Sequence, residues 1–305
     1  MQTAAKTLLH AGVAALAALA IAATAGAAPP PATEPSAATM AVWKAPQKPF
    51  KLYGNSWYVG TAGLSSILIT SDYGHVLIDG GVPEAAPQFL ANIQALGFKP
   101  TDIKALLNSH AHFDHAGGLA QLQAATGAPI YLRRPSEAVL RTGKSGRDDP
   151  QAGPKLPALP PAKGQLWIVS DQQLLGVGSI RLQALATAGH TPGGTTWTWE
   201  SCEGTSCLKM VYADSLNPLA RDGFRFGGDK DYPSAKADFE QAFATLEALP
   251  CDVLITPHPE SMQLFERVAA RDAKPDATLK QDGACKAYAA KGRTALTQRL
   301  AAETP

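Results

Sequence analysis

Cysteine is scarce and unevenly placed. The first 201 residues contain none, and the four present are Cys202, Cys207, Cys251 and Cys285. A lipoprotein anchor needs a cysteine just after an export signal, so this sequence argues against one. A cysteine-based zinc site has little support, because Cys202 and Cys207 lack a second nearby pair. Net charge is also nearly absent, at +1, and argues against electrostatic capture of nucleic acid or a membrane surface. No Gly-x-Ser-x-Gly stretch occurs, so the strained turn that exposes the nucleophile of many serine hydrolases is missing.

The 305 residues are 45% hydrophobic, ample for a core in one large α/β domain. Residues 1–27 read as a cleaved export signal: Lys6 supplies the positive start, an Ala/Leu-rich run follows, and Ala25-Gly26-Ala27 has the small-x-small form of a cleavage site. A Pro/Ala-rich linker at 28–42 and a single domain at 43–305 complete the expected organisation. Export to the periplasm would bring the cysteines into an oxidising compartment. Four cysteines allow three pairings. Cys202 and Cys207 bracket an apparent turn, which pairs them and leaves Cys251 with Cys285.

Apolar runs and turn residues alternate along the chain. Strands are expected at 56–60, 65–70 and 76–78, the last ending at Asp79-Gly80-Gly81. Asp79 has two open readings, a carboxylate that orients a metal ligand or a turn cap. His75 reads as an exposed hairpin residue, and 43–49 as irregular chain. A helix at 84–96, a buried strand at 103–107, a helix at 119–125 and a strand at 130–132 give the alternation of α/β layers. Residues 143–164 carry five prolines and read as a surface insertion. Further strands are expected at 174–186, 195–200, 210–213 and 253–255, with an amphipathic helix carrying Phe239, Phe243, Leu246 and Leu249 and a terminal helix at 284–300.

One stretch stands out. Residues 108–118 read Asn-Ser-His-Ala-His-Phe-Asp-His-Ala-Gly-Gly, directly after the strand at 103–107. Three imidazoles and a carboxylate within six residues suit zinc better than copper(I) or calcium. Their spacing does not fit one helical face, but it fits a loop leaving the C-terminal end of a strand. Gly117 and Gly118 allow the next helix to start close to that loop. His190, within Gly-His-Thr-Pro-Gly-Gly, and His258, within Thr-Pro-His-Pro, also follow apolar strands. Six ligands, His110, His112, Asp114, His115, His190 and His258, suffice for two three-ligand zinc centres, each open to water. Water on such ions ionises near pH 7, so neither serine nor cysteine is needed as nucleophile.

With these residues in place, the chain resembles the metallo-β-lactamase superfamily, whose His-x-His-x-Asp-His signature matches 110–115 in full. Within it the chain is most similar to subclass B3, through Gly63-Leu64-Ser65-Ser66, Leu77-Ile78-Asp79-Gly80-Gly81, Tyr212-Ala213-Asp214-Ser215-Leu216 and the run from Cys251 to Pro259. The resemblance implies an αβ/βα four-layer sandwich with a dinuclear site at the sheet edge. It assigns His110, His112 and His190 to a first zinc, and Asp114, His115 and His258 to a second. Ser215 stands where another subclass has a metal-binding cysteine, which implies contact with the second-site water or the substrate carboxylate. Asn217 is a weaker candidate for substrate contact. The activity implied is zinc-dependent hydrolysis of β-lactams (penicillins, cephalosporins and carbapenems) by a monomer, with no nucleic-acid partner and no membrane attachment after cleavage.

Two other readings compete. One is a different hydrolase on the same fold, a lactonase or a glyoxalase II-type thioesterase. Such enzymes use an aspartate bridging both metals, and Asp214 resembles it. The other is a noncatalytic zinc-binding protein.

Overall fold

The computed structural model describes residues 34–153, 156–274 and 277–303. The expected export signal at 1–27 lies outside the described residues. Twelve strands form two sheets. The first runs, in spatial as in chain order, β1 (Phe50–Tyr53), β2 (Ser56–Tyr58), β3 (Ile67–Ile69), β4 (His75–Ile78), β5 (Ile103–Leu107), β6 (Ile130–Arg133) and β7 (Leu166–Val169). The second comprises β8 (Leu174–Val177), β9 (Ile180–Ala186), β10 (Thr195–Glu203), β11 (Ser206–Tyr212) and β12 (Val253–Ile255), ordered β12-β11-β10-β9-β8. Short turns suffice where neighbours are antiparallel. The parallel pairs β4–β5, β5–β6, β6–β7 and β11–β12 need crossovers.

Helices occupy those crossovers. After α1 (Ala37–Lys44), α2 (Ala86–Ala95) joins β4 to β5, and α3 (Phe113–Ala116) with α4 (Leu119–Thr126) joins β5 to β6. Then α5 (Glu137–Thr142) lies between β6 and β7, α6 (Ala235–Ala248) between β11 and β12, and α7 (Leu264–Asp272) and α8 (Ala284–Glu303) close the chain.

Side-chain alternation generates four layers. Ile67, Ile69, Val76, Ile78, Ala105 and Leu107 point to the second sheet and meet Leu182, Ala184, Trp197, Met210, Tyr212 and Ile255. Their neighbours Leu68, Leu77, Leu106 and Leu132 point the other way, against Phe89 and Ile93 of α2 and Leu119 and Leu122 of α4. On the far side Val211 and Leu254 meet Phe239 and Phe243 of α6 and Tyr288 and Leu296 of α8. Each fully buried large side chain contributes about 2 kcal/mol. The result is the expected αβ/βα sandwich.

Several local expectations are corrected. The linker does not extend to residue 42, because α1 begins at Ala37, where Ser36 accepts a bond from Thr39 N at 3.0 Å. Alanine is the strongest helix former, so Ala37, Ala38 and Ala41 take over once Pro35 has passed. Trp43 and Lys44 are therefore helical rather than irregular. His75 is not an exposed turn residue; it opens β4, is 7% exposed and packs edge-on against Phe98. The expected strand at 174–186 is a hairpin, since Gly178, at φ +56, supplies the left-handed residue of a two-residue turn.

Candidate metal centre

The ends of β4, β5, β9, β11 and β12 converge on one edge of the sandwich, and all six expected ligands meet there. His110, His112 and His190 form one group, and Asp114, His115 and His258 another; within each, one ligand atom per residue lies within 4.8 Å of the others.

In the first group every histidine has one nitrogen held by a carboxylate or a backbone carbonyl. His110 donates Nδ1–H to Asp214 Oδ1 at 2.7 Å, and its buried Nε2 has no partner. His112 turns Nε2 to both oxygens of Asp149, each at 3.1 Å, and keeps Nδ1 free. His190 donates Nδ1–H to the Asn217 carbonyl at 2.9 Å, while its Nε2 receives the Gln151 amide at 3.3 Å. Metal-binding histidines are held this way, with the second nitrogen fixing ring and tautomer.

The second group is a small triangle. Asp114 Oδ2 lies 3.1 Å from His115 Nε2 and 3.2 Å from His258 Nε2, and the two nitrogens are 3.2 Å apart. Zinc ligands at 2.0–2.1 Å in tetrahedral array stand about 3.3 Å from one another. The edges fit that ion closely. At the first group the His110 Nε2 is a buried, unpartnered nitrogen, as a ligand atom would be.

The loop carrying four ligands is anchored by Asp79. Its Oδ1 accepts from Ser109 N at 2.7 Å, and its Oδ2 accepts from Ser109 Oγ at 2.6 Å and Tyr212 OH at 2.8 Å. Asp79 contacts no ligand ring; it clamps the residue before His110, which answers the question its sequence left open. It does so at φ +59, a left-handed conformation that aspartate tolerates better than most residues. Gly118 is required nearby, since a Cβ there would sit 2.2 Å from the Gly80 carbonyl. Gly189, before His190, presses on α6, where a Cβ would meet Phe239 Cγ at 2.5 Å.

Electrostatics favour bare nitrogens on two of the three first-group histidines. Burial, reinforced by the imidazoles of His115, His112 and His190, holds His110 well below its ordinary pKa. Burial and His112 lower His190 to about 3. Burial opposes charge on His112, but the adjacent Asp149 carboxylate overrides it and raises this histidine. Burial likewise resists ionisation of Asp114, yet His115 and His258 hold its carboxyl well below the usual range. Burial pushes Asp214 well above that range and also raises Asp79.

A cleft of about 480 Å³ opens over both groups, walled by Trp43, Thr39, Phe113, Gln151 and Asn217 among others. Trp43 lies 5.8 Å from the His258 ring, centre to centre. Asn217 lines the cleft as expected of a substrate contact, whereas Ser215 is 2% exposed and is not among the lining residues. Sequence reasoning missed Asp149, Gln151 and Trp43, and it read Asp214 as a look-alike of a bridging ligand. Asp214 instead reaches Nδ1 of His110, the nitrogen that a metal on Nε2 would not use. Its place at the end of a strand, beside Ser215, was the available signal. Asp149 lay in a proline-rich stretch with none. The four cysteines form Cys202–Cys207 and Cys251–Cys285, the pairs expected.

Comparison with known proteins agrees with this geometry. The sequence profile of the metallo-beta-lactamase superfamily matches residues 60–205. Among solved structures, Rm3 metallo-beta-lactamase is 50% identical, with a TM-score of 0.85 over 88% of this chain and 99% of that one. MEM-A1, a subclass B3 metallo-beta-lactamase from a soil metagenome library, is 44% identical, with a TM-score of 0.83 over 86% and 98%. Curated relatives are more distant. Ribonuclease TTHA0252 of Thermus thermophilus is 31% identical over 52% of this chain, and the match spans only 36% of that protein. The N-acyl homoserine lactonase of Bacillus thuringiensis is 28% identical over 53% of this chain and 68% of its own length. With the six ligands assembled, the four-layer sandwich in place and a relative at 50% identity matched over nearly its whole length, the chain belongs to the metallo-β-lactamase superfamily and resembles its subclass B3 members.

Proposed function

We propose that this protein hydrolyses the amide bond of β-lactams with zinc held by His110, His112 and His190 at one site and Asp114, His115 and His258 at the other. It would thereby protect its host against penicillins, cephalosporins and carbapenems. The observation that carries this reading is the pair of ligand groups at the base of one cleft, on a chain 50% identical to a metallo-β-lactamase over 88% of its length. Zinc bound there supplies a water that ionises near pH 7 and a Lewis acid for the carbonyl oxygen.

The chain's own residues do the rest. Asp214, Asp149 and the Asn217 carbonyl fix the three first-site rings, so no reorganisation is needed as charge develops. Asp114 engages both neighbouring histidines through Oδ2, and this leaves Oδ1 to accept a hydrogen bond from the attacking water. Trp43 and Phe113 offer apolar walls to the substrate's ring system, and the Asn217 side chain offers a hydrogen bond. Ser36 and Thr39, the hydroxyls at the cleft's rim, bond to each other at 2.8 Å and cap α1. No covalent intermediate is required.

The export signal at 1–27, a periplasmic location and a monomeric state are part of the same proposal. Among the described residues no helix is long and apolar enough to cross a membrane. A lactonase or thioesterase reading is weaker, because Asp214, the candidate bridging ligand, gives Oδ1 to His110 Nδ1 and belongs to neither ligand group. A panel of chromogenic cephalosporin, lactone and thioester substrates on zinc-loaded protein tests the proposal. Cephalosporin turnover should vanish with chelator and return with zinc. Lactone or thioester turnover without β-lactam cleavage would overturn it.

A further inference from the structure

The proline-rich stretch 143–164 reads from sequence as a plain insertion, but its middle reaches the metal centre. Asp149 is 6% exposed, with both carboxylate oxygens on His112 Nε2. Oδ1 also accepts from Gln151 N at 2.8 Å, which aims the Gln151 side chain at His190. The loop therefore touches two of the three first-site histidines.

Its position is set from elsewhere. Arg221 Nη1 donates to the Asp149 carbonyl at 2.7 Å and to the Pro150 carbonyl at 3.4 Å, and Nη2 donates to the Arg147 carbonyl at 3.4 Å. Arg221 N adds a bond to the Pro150 carbonyl at 2.8 Å. One guanidinium thus gathers three carbonyls from a four-residue stretch of backbone, which its planar fork of five donors can do and an ammonium cannot match. Arg221 also follows, by a few residues, the segment that supplies Asp214 to His110 and the Asn217 carbonyl to His190. The outer partners of all three histidines therefore lie on two loops, and Arg221 joins those loops.

We infer that Arg221 is a positioning residue for the first metal site: it carries Asp149 onto His112 and so sets that ring's Nδ1 toward the ion. This rests on the metal-centre reading above. Arg221 touches no ligand and does not line the cleft over the metals, so its effect must pass through Asp149. Removing outer partners of metal-binding histidines lowers metal affinity by about 10–100-fold.

The test is zinc affinity, measured on the full-length stripped protein by competition with a chromophoric chelator. Arg221→Ala should weaken the tighter-braced first site about tenfold and leave the second site within about twofold of wild type. Arg221→Lys, which keeps the charge but not the fork, should recover only a minor part of the loss. Cobalt(II) loading gives a second readout, because a displaced His112 alters the ligand-field bands of the first site alone. Wild-type affinity in Arg221→Ala, or an equal fall at both sites, would overturn the inference. Should Arg221→Ala fail to fold, Asp149→Asn changes only the carboxylate and keeps the backbone bonds to Arg221. Its first-site affinity should fall 10–100-fold, and an unchanged value would likewise refute the role. Zinc measurements do not depend on substrate, so failure to cleave β-lactams would overturn the proposed activity and leave the brace standing.

Discussion

Replacement of Asp79 should separate two costs that meet at one residue. Its carboxylate accepts three close hydrogen bonds, two from Ser109 and one from Tyr212, at 2.6–2.8 Å, and a longer one from Asn108 Nδ2 at 3.5 Å, with no exposed surface. A buried donor left without its acceptor costs about 1–3 kcal/mol. Asp79→Ala orphans the Ser109 amide and leaves the two hydroxyls only longer contacts, Tyr212 OH to the Ser65 carbonyl and Ser109 Oγ to His110 Nδ1, each at 3.3 Å, so a loss of about 3–4 kcal/mol is expected. Alanine at φ +59 adds about 1 kcal/mol of backbone strain. Asp79→Gly removes that strain and keeps the orphaned donors, so it should be about 1 kcal/mol less damaging. Asp79→Asn keeps the shape and tolerates the left-handed backbone, but its amide nitrogen faces a donor. It should lose about 2 kcal/mol, the cost of one or two unmade bonds. Urea unfolding of the zinc-stripped variants measures all three. A loss below 1 kcal/mol in Asp79→Ala, or alanine better tolerated than glycine, would refute the reasoning.

Asp214→Ala should lower zinc affinity at the first site 10–100-fold, about 1.4–2.7 kcal/mol, with Asp214→Asn nearer the lower end because its oxygen still accepts from His110 Nδ1. Isothermal titration of stripped protein reads this directly, and an unchanged first-site affinity would remove Asp214 from its role. The two disulfides should differ in worth: the 34-residue Cys251–Cys285 loop gives about 3.8 kcal/mol by chain entropy and the 5-residue Cys202–Cys207 loop about 2 kcal/mol. Paired Cys→Ser variants compared by urea midpoint check the order, and a reversed order would sink it.

The six ligands were legible because chemistry and chain position coincide: four sit in one loop, and each remaining histidine follows a strand of apolar residues. The layers were legible for a similar reason, since β4, β5 and β12 are short, mostly apolar runs bounded by turn-forming residues. Elements without such a contrast were lost. The four residues of α3 and six of α5 are too short to show a period. At the start of α7, Gln263 takes φ +52 and caps nothing with its side chain. Proline-rich sequence hid both α1, which begins two residues after Pro35, and Asp149. Outer partners are the hardest class. Asp149, Asp214 and Arg221 matter through which nitrogen or carbonyl they face, and only the folded chain decides that.

The second ligand triangle joins His115 to His258 across 143 positions of sequence, from opposite halves of the sandwich. An ion seated there is a reversible crosslink as well as a reagent. By mass action, free metal at a hundred times the dissociation constant adds about 2.7 kcal/mol for each such site, a large share of a typical folded-state margin. Metal starvation therefore withdraws structural support together with catalysis. The stripped chain becomes the form that opens more often and meets proteases first, so the abundance of this protein in a cell would follow the supply of its ion.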